Sequence, residues 1–255
     1  MSETSPNRDL HVVVGATGAV GTAVVERLLG SGRRVLGVAR DAAALAHFAD
    51  RAPDRFVAVA ADLGDDAAIG VLRDALDAPV RLALFGPGLR VSGSALTIAP
   101  GDLAYAANLK VSGAARLLQA VEGHFAPDAR FVAIAGSLGL EPGPYDAAPG
   151  TVNAALMNLM QQISQLLGPR GVSVHTIAPG PLDTPRLRAF AESRAAQAGI
   201  TPEQAYQNYV DHTSLGRLPT VEDIAWLVEM LLSPHAAALH GGVLRADGGA
   251  LRHAF

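Results

Sequence analysis

Short apolar runs alternate along this chain with longer segments in which apolar residues recur at helical spacing. The runs predict strands at residues 10–14, 34–39, 55–60, 80–85, 130–135, 172–177 and 242–246. Strands of a parallel sheet that is covered on both faces have continuous apolar runs, and helices fit between them. The pattern therefore predicts an α/β fold, a doubly wound Rossmann-type parallel sheet of about seven strands with helices on both faces.

Turn and capping residues mark several helix ends. Gly30-Ser31-Gly32 follows the first amphipathic segment and tolerates the left-handed backbone that ends many helices. Thr201-Pro202-Glu203-Gln204 places a capping threonine, a first-turn proline and a back-bonding glutamine in order, so a short helix begins there. Thr220-Val221-Glu222-Asp223 resembles a capping box and predicts the start of another helix.

The segment at about 185–217 departs from the alternation of strands and helices and is richer in polar residues. It leaves from the carboxyl end of a strand, the edge at which ligands bind in a doubly wound sheet. We predict that it forms a substrate lid, with a surface excursion that has no ligand role as the alternative. No repeat or linker interrupts the chain, so residues 1–255 are predicted to form a single domain.

Composition narrows the possible functions. A net charge of -4 gives no broad basic field, so neither nucleic acid nor an anionic membrane is an expected partner. The chain has no cysteine, and its histidines are scattered without metal-ligand spacing, so no metal site is predicted. The polar opening segment lacks the apolar part of a signal peptide, and no apolar run approaches the roughly 20 residues that span a bilayer. We expect a cytoplasmic protein.

Glycines at positions 15, 18 and 21 lie between the first strand and the first helix. Small residues there let backbone amides and the positive helix end approach a pyrophosphate. We predict a dinucleotide site, with an empty tight turn as the alternative. The residues predicted to contact the dinucleotide here are Gly15, Thr17, Gly18, Ala19, Val20 and Gly21.

Arg40 ends the second strand, where an acidic residue would bond the free 2'-hydroxyl of NADH. A guanidinium at that place suits a 2'-phosphate and favours NADPH over NADH. The alternative is an ordinary exposed arginine at a strand end.

The chain resembles the short-chain dehydrogenase/reductase family over roughly residues 10–249. Ser137 matches the family serine after the fifth strand, and Asn108 matches its active-site helix asparagine. The stretch Ala178-Pro179-Gly180-Pro181-Leu182-Asp183-Thr184-Pro185 resembles the family stretch that contacts nicotinamide. The resemblance implies a nicotinamide cofactor, a small-molecule substrate and a homodimer or homotetramer.

The resemblance also assigns further cofactor contacts. Asp62 and Leu63 resemble the family's adenine contact, although Asp62 could equally cap the next helix. Phe85-Gly86-Pro87-Gly88 stands where the family usually has Asn-Asn-Ala-Gly, so Gly86 and Gly88 are the expected contacts. In the nicotinamide stretch the expected contacts are Pro179, Gly180, Leu182 and Thr184.

The departures from the family fall on its chemistry. Pro149 and Asn153 lie where the family's Tyr-x-x-x-Lys motif places the proton donor and the lysine that lowers its pKa. Asn153 could still bond a ribose hydroxyl. Lys110 is the only lysine, and because it lies two positions after Asn108 on a helix, we expect its side chain to point well away from that asparagine.

Tyr145 is the best substitute for the missing proton donor, since it follows Ser137 on a loop that should border the pocket. The alternative is a loop tyrosine with its hydroxyl in water. Ser137 or Asp146 could act through water instead. His175 lies in a buried strand and is predicted to be a hydrogen-bonded core histidine.

Three functions remain open. The first is an NADPH-dependent oxidoreductase for a small carbonyl or enone, in which water, Ser137 or Tyr145 supplies the proton. The second is a non-redox isomerase, cyclase or lyase on the same fold, and the third is a cofactor-binding protein without catalysis. The candidate catalytic residues are Ser137, Tyr145, Asn108 and Asn153.

Overall fold

The protein is represented by a computed structural model that describes residues 9–91 and 93–252. The opening residues 1–8, on which the expectation of no signal peptide depends, lie outside the described residues. None of the described helices is long and apolar enough to cross a bilayer.

The strands of the described chain form one parallel sheet in the order β3-β2-β1-β4-β5-β6-β7. They are β1 (Leu10–Val14), β2 (Arg34–Ala39), β3 (Phe56–Ala60), β4 (Val80–Phe85), β5 (Phe125–Ile134), β6 (Ser173–Pro179) and β7 (Val243–Ala246). The α-helices are α1 (Ala19–Gly30), α2 (Ala46–Arg51), α3 (Ala67–Asp74), α4 (Pro100–Ala107), α5 (Gly113–Val121), α6 (Ala147–Leu167), α7 (Pro185–Ala198), α8 (Pro202–Asp211) and α9 (Val221–Met230).

Helices cover both faces of the sheet because successive strand residues point to opposite faces. On β1, Leu10, Val12 and Val14 pack with residues of α3, α5 and α6. Val13 points the other way and packs with residues of α1, α2 and α9. The doubly wound Rossmann-type fold with a seven-stranded sheet is confirmed.

The strand bounds agree with the predicted runs to within two residues except at the start of β5. That strand begins at Phe125, whereas the apolar run predicts residue 130. The register against β4 shifts between Val80 and Leu82, and Asp128 has a φ of 55°. The early part of the strand is hidden in the sequence because Pro127 and Asp128 have the composition of a turn.

The segment predicted as a lid forms α7 and α8, which pack against each other through Ala191, Ala195 and Ala205. The capping box predicted at Thr201 is present, since its hydroxyl accepts from the Gln204 amide and the Gln204 side chain accepts from the Thr201 amide. The capping box at Thr220 is present as well. Local capping chemistry therefore sets where these helices begin.

Candidate active site

The turn between β1 and α1 is shaped by close backbone approach at Gly15 and Gly21. Gly15 has a φ of +83°, which a glycine adopts without strain. A Cβ on Gly21 would lie 2.1 Å from the Gly15 carbonyl oxygen, so only glycine fits there. The turn is tight enough to hold the start of α1 directly against the end of β1.

The amino-terminal end of α1 is free to bind an anion. Gly18 is the N-cap, no side chain caps the helix, and no acidic residue lies in its first turn. The first amides of a helix lack intrahelical acceptors, and its dipole favours negative charge there. Thr17, Gly18 and Ala19 are exposed, and Val20 is half-buried and lines the central pocket.

The residues predicted to bind the adenosine end of the dinucleotide lie after β2 and β3. Arg40 is exposed and makes no hydrogen bond or ion pair with the described residues. Asp41, which follows it, is engaged in capping a short turn through the Ala43 amide at 2.9 Å. Asp62 is exposed and accepts from the Gly64 amide at 2.9 Å. The Leu63 side chain is buried in the core, so only the backbone of Leu63 is left to contact a ligand.

A pocket of about 470 Å³ opens at the carboxyl ends of β4, β5 and β6. Apolar side chains from α7, α8 and the strand ends supply most of its wall, and four of its side chains carry charge or a titratable hydroxyl. Its lining residues include Gly86, Gly88, Leu89, Lys110, Ile134, Ser137, Leu138, Asp146, Pro149, Asn153, Pro179, Gly180, Leu182, Leu187, Phe190, Arg194 and Tyr209. The size and the apolar lining suit a small organic ligand.

Of the six cofactor contacts predicted after β4 and in the nicotinamide stretch, five lie on this pocket and one does not. Gly86, Gly88, Pro179, Gly180 and Leu182 all line it. Thr184 instead caps α7, where its hydroxyl accepts from the Leu187 amide at 3.3 Å.

Ser137, Asn153 and Pro149 meet at the end of β5. Ser137 is buried to 8% exposure, and its hydroxyl makes no hydrogen bond to the described residues. Asn153 is buried on α6, and its Oδ1 has no hydrogen-bond partner in the described part of the chain. Its side chain packs against the backbones of Gly136 and Gly139. Pro149 lines the pocket one turn earlier and has no proton to give.

Asn108, which the sequence predicts as a catalytic residue, does not line this pocket. Its Nδ2 donates to the Gly64 carbonyl at 2.8 Å, and its Oδ1 accepts from Arg116 at 2.9 Å. The side chain that turns to the pocket from this helix is Lys110. Side chains two positions apart on a helix point to nearly opposite sides, so only one of the two can face the strand ends.

Lys110 is 3% exposed and belongs to a π-helical turn, Asn108–Ser112, between α4 and α5. Its Nζ donates to the carbonyl oxygens of Ile134 at 2.8 Å and Pro87 at 3.2 Å. Burial lowers the pKa of Lys110 from 10.5 to about 8. It is a candidate functional residue that the motif comparison misses, although it is the only lysine in the chain.

Tyr145 does not line the pocket and is 67% exposed, so the structure does not support it as the substitute proton donor. Among the described tyrosines, the one that lines the pocket is Tyr209 on α8. Its hydroxyl is buried and has no hydrogen-bond partner among the described residues, and burial raises the pKa of Tyr209 above its ordinary value.

The unpartnered hydroxyl of Tyr209 predicts an unusual stability result. Leaving a buried polar group unsatisfied costs about 1–3 kcal/mol, so Tyr209→Phe should keep or raise the free energy of unfolding by up to about 1 kcal/mol. Urea denaturation monitored by circular dichroism measures the change. Tyr105→Phe is the control, because Tyr105 is half-exposed and should give no change. A clear loss of stability in Tyr209→Phe would show that the hydroxyl has a partner.

The fold has close structural relatives among short-chain dehydrogenases. It superposes on an NADPH-bound short chain oxidoreductase from Pseudomonas aeruginosa PAO1, described as containing an atypical catalytic center, with a TM-score of 0.85 and 25% identity over 96% of this chain and 98% of that one. The sequence model of the family described as enoyl-(acyl carrier protein) reductase matches residues 15–250. The chain belongs to the short-chain dehydrogenase/reductase family.

Within this family, curated relatives share about a third of the aligned residues. The protein MoaE of Klebsiella aerogenes is 33% identical over 117 residues, which is 46% of each chain. The NADPH-dependent reductase BacG of Bacillus subtilis is 30% identical over 123 residues, which is 48% of each chain. Each alignment thus spans about half the length of the curated relative.

A structure of L-sorbose reductase from Gluconobacter frateurii, solved with NADPH and L-sorbose, superposes with a TM-score of 0.88. At 19% identity over 99% of this chain and all of that one, the likeness is one of fold.

Proposed function

We propose that this chain is an NADPH-dependent reductase for a small carbonyl or enone substrate, with an atypical site for proton transfer. The proposal depends on one observation, that two features open at the same edge of the sheet. They are the glycine turn before α1 and the pocket that holds Ser137, Asn153 and Lys110. In a doubly wound sheet, that edge is where a dinucleotide and its reaction partner meet. The NADPH-bound Pseudomonas relative and the reductase BacG support the assignment.

The residues present fit a dinucleotide. The Gly15 carbonyl occupies the space that a Cβ on Gly21 would need. Gly21 therefore has no side chain that could stand in front of the first amides of α1. Gly15, Gly18 and Gly21 would hold the pyrophosphate there. Pro179, Gly180 and Leu182, with Asn153, would hold the nicotinamide end at the pocket. When bound, the reduced nicotinamide supplies a hydride.

Arg40 would select NADPH through its 2'-phosphate. A hydrogen bond to a charged group contributes about 1.5–3 kcal/mol, so Arg40→Ala should lower the ratio of NADPH to NADH affinity by about 10-fold or more. Titrations of both dinucleotides, followed by nicotinamide fluorescence, measure this ratio. Arg51→Ala is the matched control, because it removes an exposed arginine that pairs with Glu26 on the amino-terminal side of the sheet. An unchanged ratio in Arg40→Ala would remove Arg40 from cofactor selection.

The chain's own groups bind and orient the substrate. The Ser137 hydroxyl, unbonded within the described protein, can donate to a carbonyl oxygen, and the unpartnered Asn153 Oδ1 can accept from a ribose or substrate hydroxyl. Leu187, Phe190 and Tyr209 on α7 and α8 form the outer wall of the pocket. Their apolar surface excludes water from the site.

A panel of ketones, aldehydes and enones, assayed with NADPH deuterated at the transferred position, tests the proposal. A reductase consumes NADPH and places one deuterium on the product carbon. Conversion of a substrate without NADPH consumption would replace the proposal with a non-redox isomerase, cyclase or lyase. Cofactor binding without conversion of any substrate in the panel would favour a non-catalytic cofactor-binding protein.

A further inference from the structure

Almost all the positively charged residues of this chain are arginines, and one is a lysine. Of its 20 lysine and arginine residues, Lys110 is the only lysine. It is also the cation that the pocket buries most deeply, at 3% exposure, whereas Arg194 at the outer wall is exposed. Burying an ammonium group costs free energy unless hydrogen bonds or an opposite charge compensate for it, so a single amine buried at a pocket needs an explanation.

We propose that Lys110 is a catalytic residue that donates the proton to the substrate oxygen, in place of the family's Tyr-x-x-x-Lys pair. This inference rests on the reductase function proposed above. Lys110 lies on the helix beside the pocket, not on α6 where Pro149 and Asn153 occupy the usual positions. The proton donor has thus moved to another wall of the same pocket.

The hydrogen bonds of Lys110 leave one proton for a ligand. An ammonium group has three N–H bonds, and two of them point to the Ile134 and Pro87 carbonyl oxygens. Both carbonyls belong to the backbone at the ends of β5 and β4, so they fix the position of Nζ at the pocket wall. A neutral amine keeps both bonds, and the group can lose its third proton without losing its position.

The surroundings of Lys110 make that proton available. No carboxylate makes an ion pair with it among the described residues, and its lowered pKa comes from burial alone. The other charged or titratable side chains of the pocket are Asp146 at the start of α6, Arg194 on α7 and Tyr209 on α8. A proton donor works best when its pKa lies near the operating pH, and about 8 meets that condition.

The step is a proton transfer that balances with the hydride supplied by the cofactor. As the carbonyl carbon takes the hydride, the electron pair of the C=O π bond moves to oxygen. The Lys110 N–H bond breaks and an O–H bond forms on that oxygen, which gives the alcohol and a neutral amine. Water returns a proton to the amine before the next turnover. Ser137 donates a second hydrogen bond to the same oxygen.

Tyr209 is the competing donor in this pocket. Burial raises the pKa of its phenol, so it parts with its proton less readily than an ordinary tyrosine, and it is carried by α8 instead of the sheet edge. Lys110 is bonded to the strand ends where the reduction would take place. The two candidate proton donors predict different pH profiles, and each predicts loss of activity in a different variant.

Two substitutions test the proton donor. Lys110→Met should lower kcat by about 10²–10⁴-fold, the contribution typical of a general acid. Lys110→Arg keeps the charge, but a guanidinium does not give up its proton in proteins, so this variant should fail similarly. Both variants must retain NADPH affinity and the circular dichroism spectrum of the parent protein. Full activity in Lys110→Arg would show that Lys110 only positions the strand ends, and would overturn the proposal.

The pH profile supplies a second readout. The wild-type rate should fall above pH about 8 as Lys110 loses its proton, and Tyr209→Phe should retain that alkaline limb. A wild-type rate that stays flat to pH 10 contradicts the proposal, as does loss of the limb in Tyr209→Phe. Reduction by borohydride that fixes a carbonyl substrate covalently on Lys110 would contradict it too, because the amine would then act as a nucleophile.

The free protein can be tested without any substrate. Because the chain has one lysine, labelling with ¹³C-lysine gives a single Cε signal whose shift with pH reports the pKa of Lys110 directly. A value near 8 supports the proposal, and an ordinary value above 10 overturns it. If NADPH does not bind at all, the reductase function fails while this titration stands. If the protein reduces its substrate and Lys110→Arg is fully active, the function stands and the proposal fails.

Discussion

Gly21→Ala is expected to abolish useful NADPH binding. The new Cβ would lie 2.1 Å from the Gly15 carbonyl oxygen and 2.9 Å from the Ala16 Cα, and because both are backbone atoms, α1 must move away from the turn. Losing two hydrogen bonds to a charged pyrophosphate, at about 1.5–3 kcal/mol each, weakens binding by 10²-fold or more. The strain should also lower the free energy of unfolding by about 1–3 kcal/mol.

Gly30→Ala is the matched control on the same helix. A Cβ there would meet nothing within 4 Å, and Gly30 lies at the last turn of α1, far from the glycine turn. It should leave NADPH affinity unchanged and add up to about 1 kcal/mol of stability, because alanine loses less backbone entropy on folding. Wild-type NADPH affinity in folded Gly21→Ala would contradict the role given to the glycine turn.

Mild acid is expected to destabilise the protein strongly. His11 on β1 and His175 on β6 are fully buried, and burial lowers the pKa of each from 6.5 to about 4. As the pH falls, the unfolded chain protonates these two histidines before the folded chain does. The stabilisation from keeping both rings neutral is therefore complete above pH 6.5 and is lost as the pH falls toward 4. By pH 5 the loss is about 2 kcal/mol for each histidine, a large part of the 5–15 kcal/mol that typically holds a domain together.

Urea denaturation between pH 8 and pH 5 measures this loss above the range in which carboxylates titrate. His175→Asn should remove about half of the pH dependence, since an asparagine does not titrate. His47→Asn is the control, because His47 is exposed on α2 and should leave the slope unchanged. Equal stability at pH 8 and pH 5 would mean that the two buried rings are protonated as easily as in the unfolded chain.

The fold was predictable because its signals are local and repeated. Apart from the early part of β5, the strands are short apolar runs, and the helix starts at Thr201 and Thr220 follow from side chains within one turn. The early part of β5 was not predictable, since Pro127 and the left-handed Asp128 belong to a strand only through pairing with β4.

The cofactor side of the site was more predictable than its chemistry. The glycine turn depends on backbone geometry that only certain residues permit, so it is visible in the sequence. The side-chain direction of Asn108 was not predictable, because a motif fixes the residue type and not where its side chain points. The π-helical turn after it brings Lys110 to the pocket. The signal that could have found Lys110 is its being the only lysine in the chain.

Packing decides the surroundings of two other residues that the sequence singled out. Tyr145 follows a Gly-Pro loop that turns its ring outward, whereas Tyr209 reaches the pocket from a helix 64 positions later in the sequence. His175 is a core histidine that is hydrogen-bonded through Nδ1 to the Leu239 carbonyl at 3.2 Å, as expected, but its Nε2 has no partner among the described residues. Contacts between distant segments decide both outcomes, and no local pattern encodes them.

Titration of the wild-type protein with NADPH, followed by nicotinamide fluorescence, shows whether the glycine turn and the pocket form a dinucleotide site. We expect saturable binding of NADPH at micromolar concentrations, with weaker binding of NADH. If neither dinucleotide binds up to millimolar concentration, the edge of the sheet at Gly15, Gly21 and Lys110 is not a reductase site.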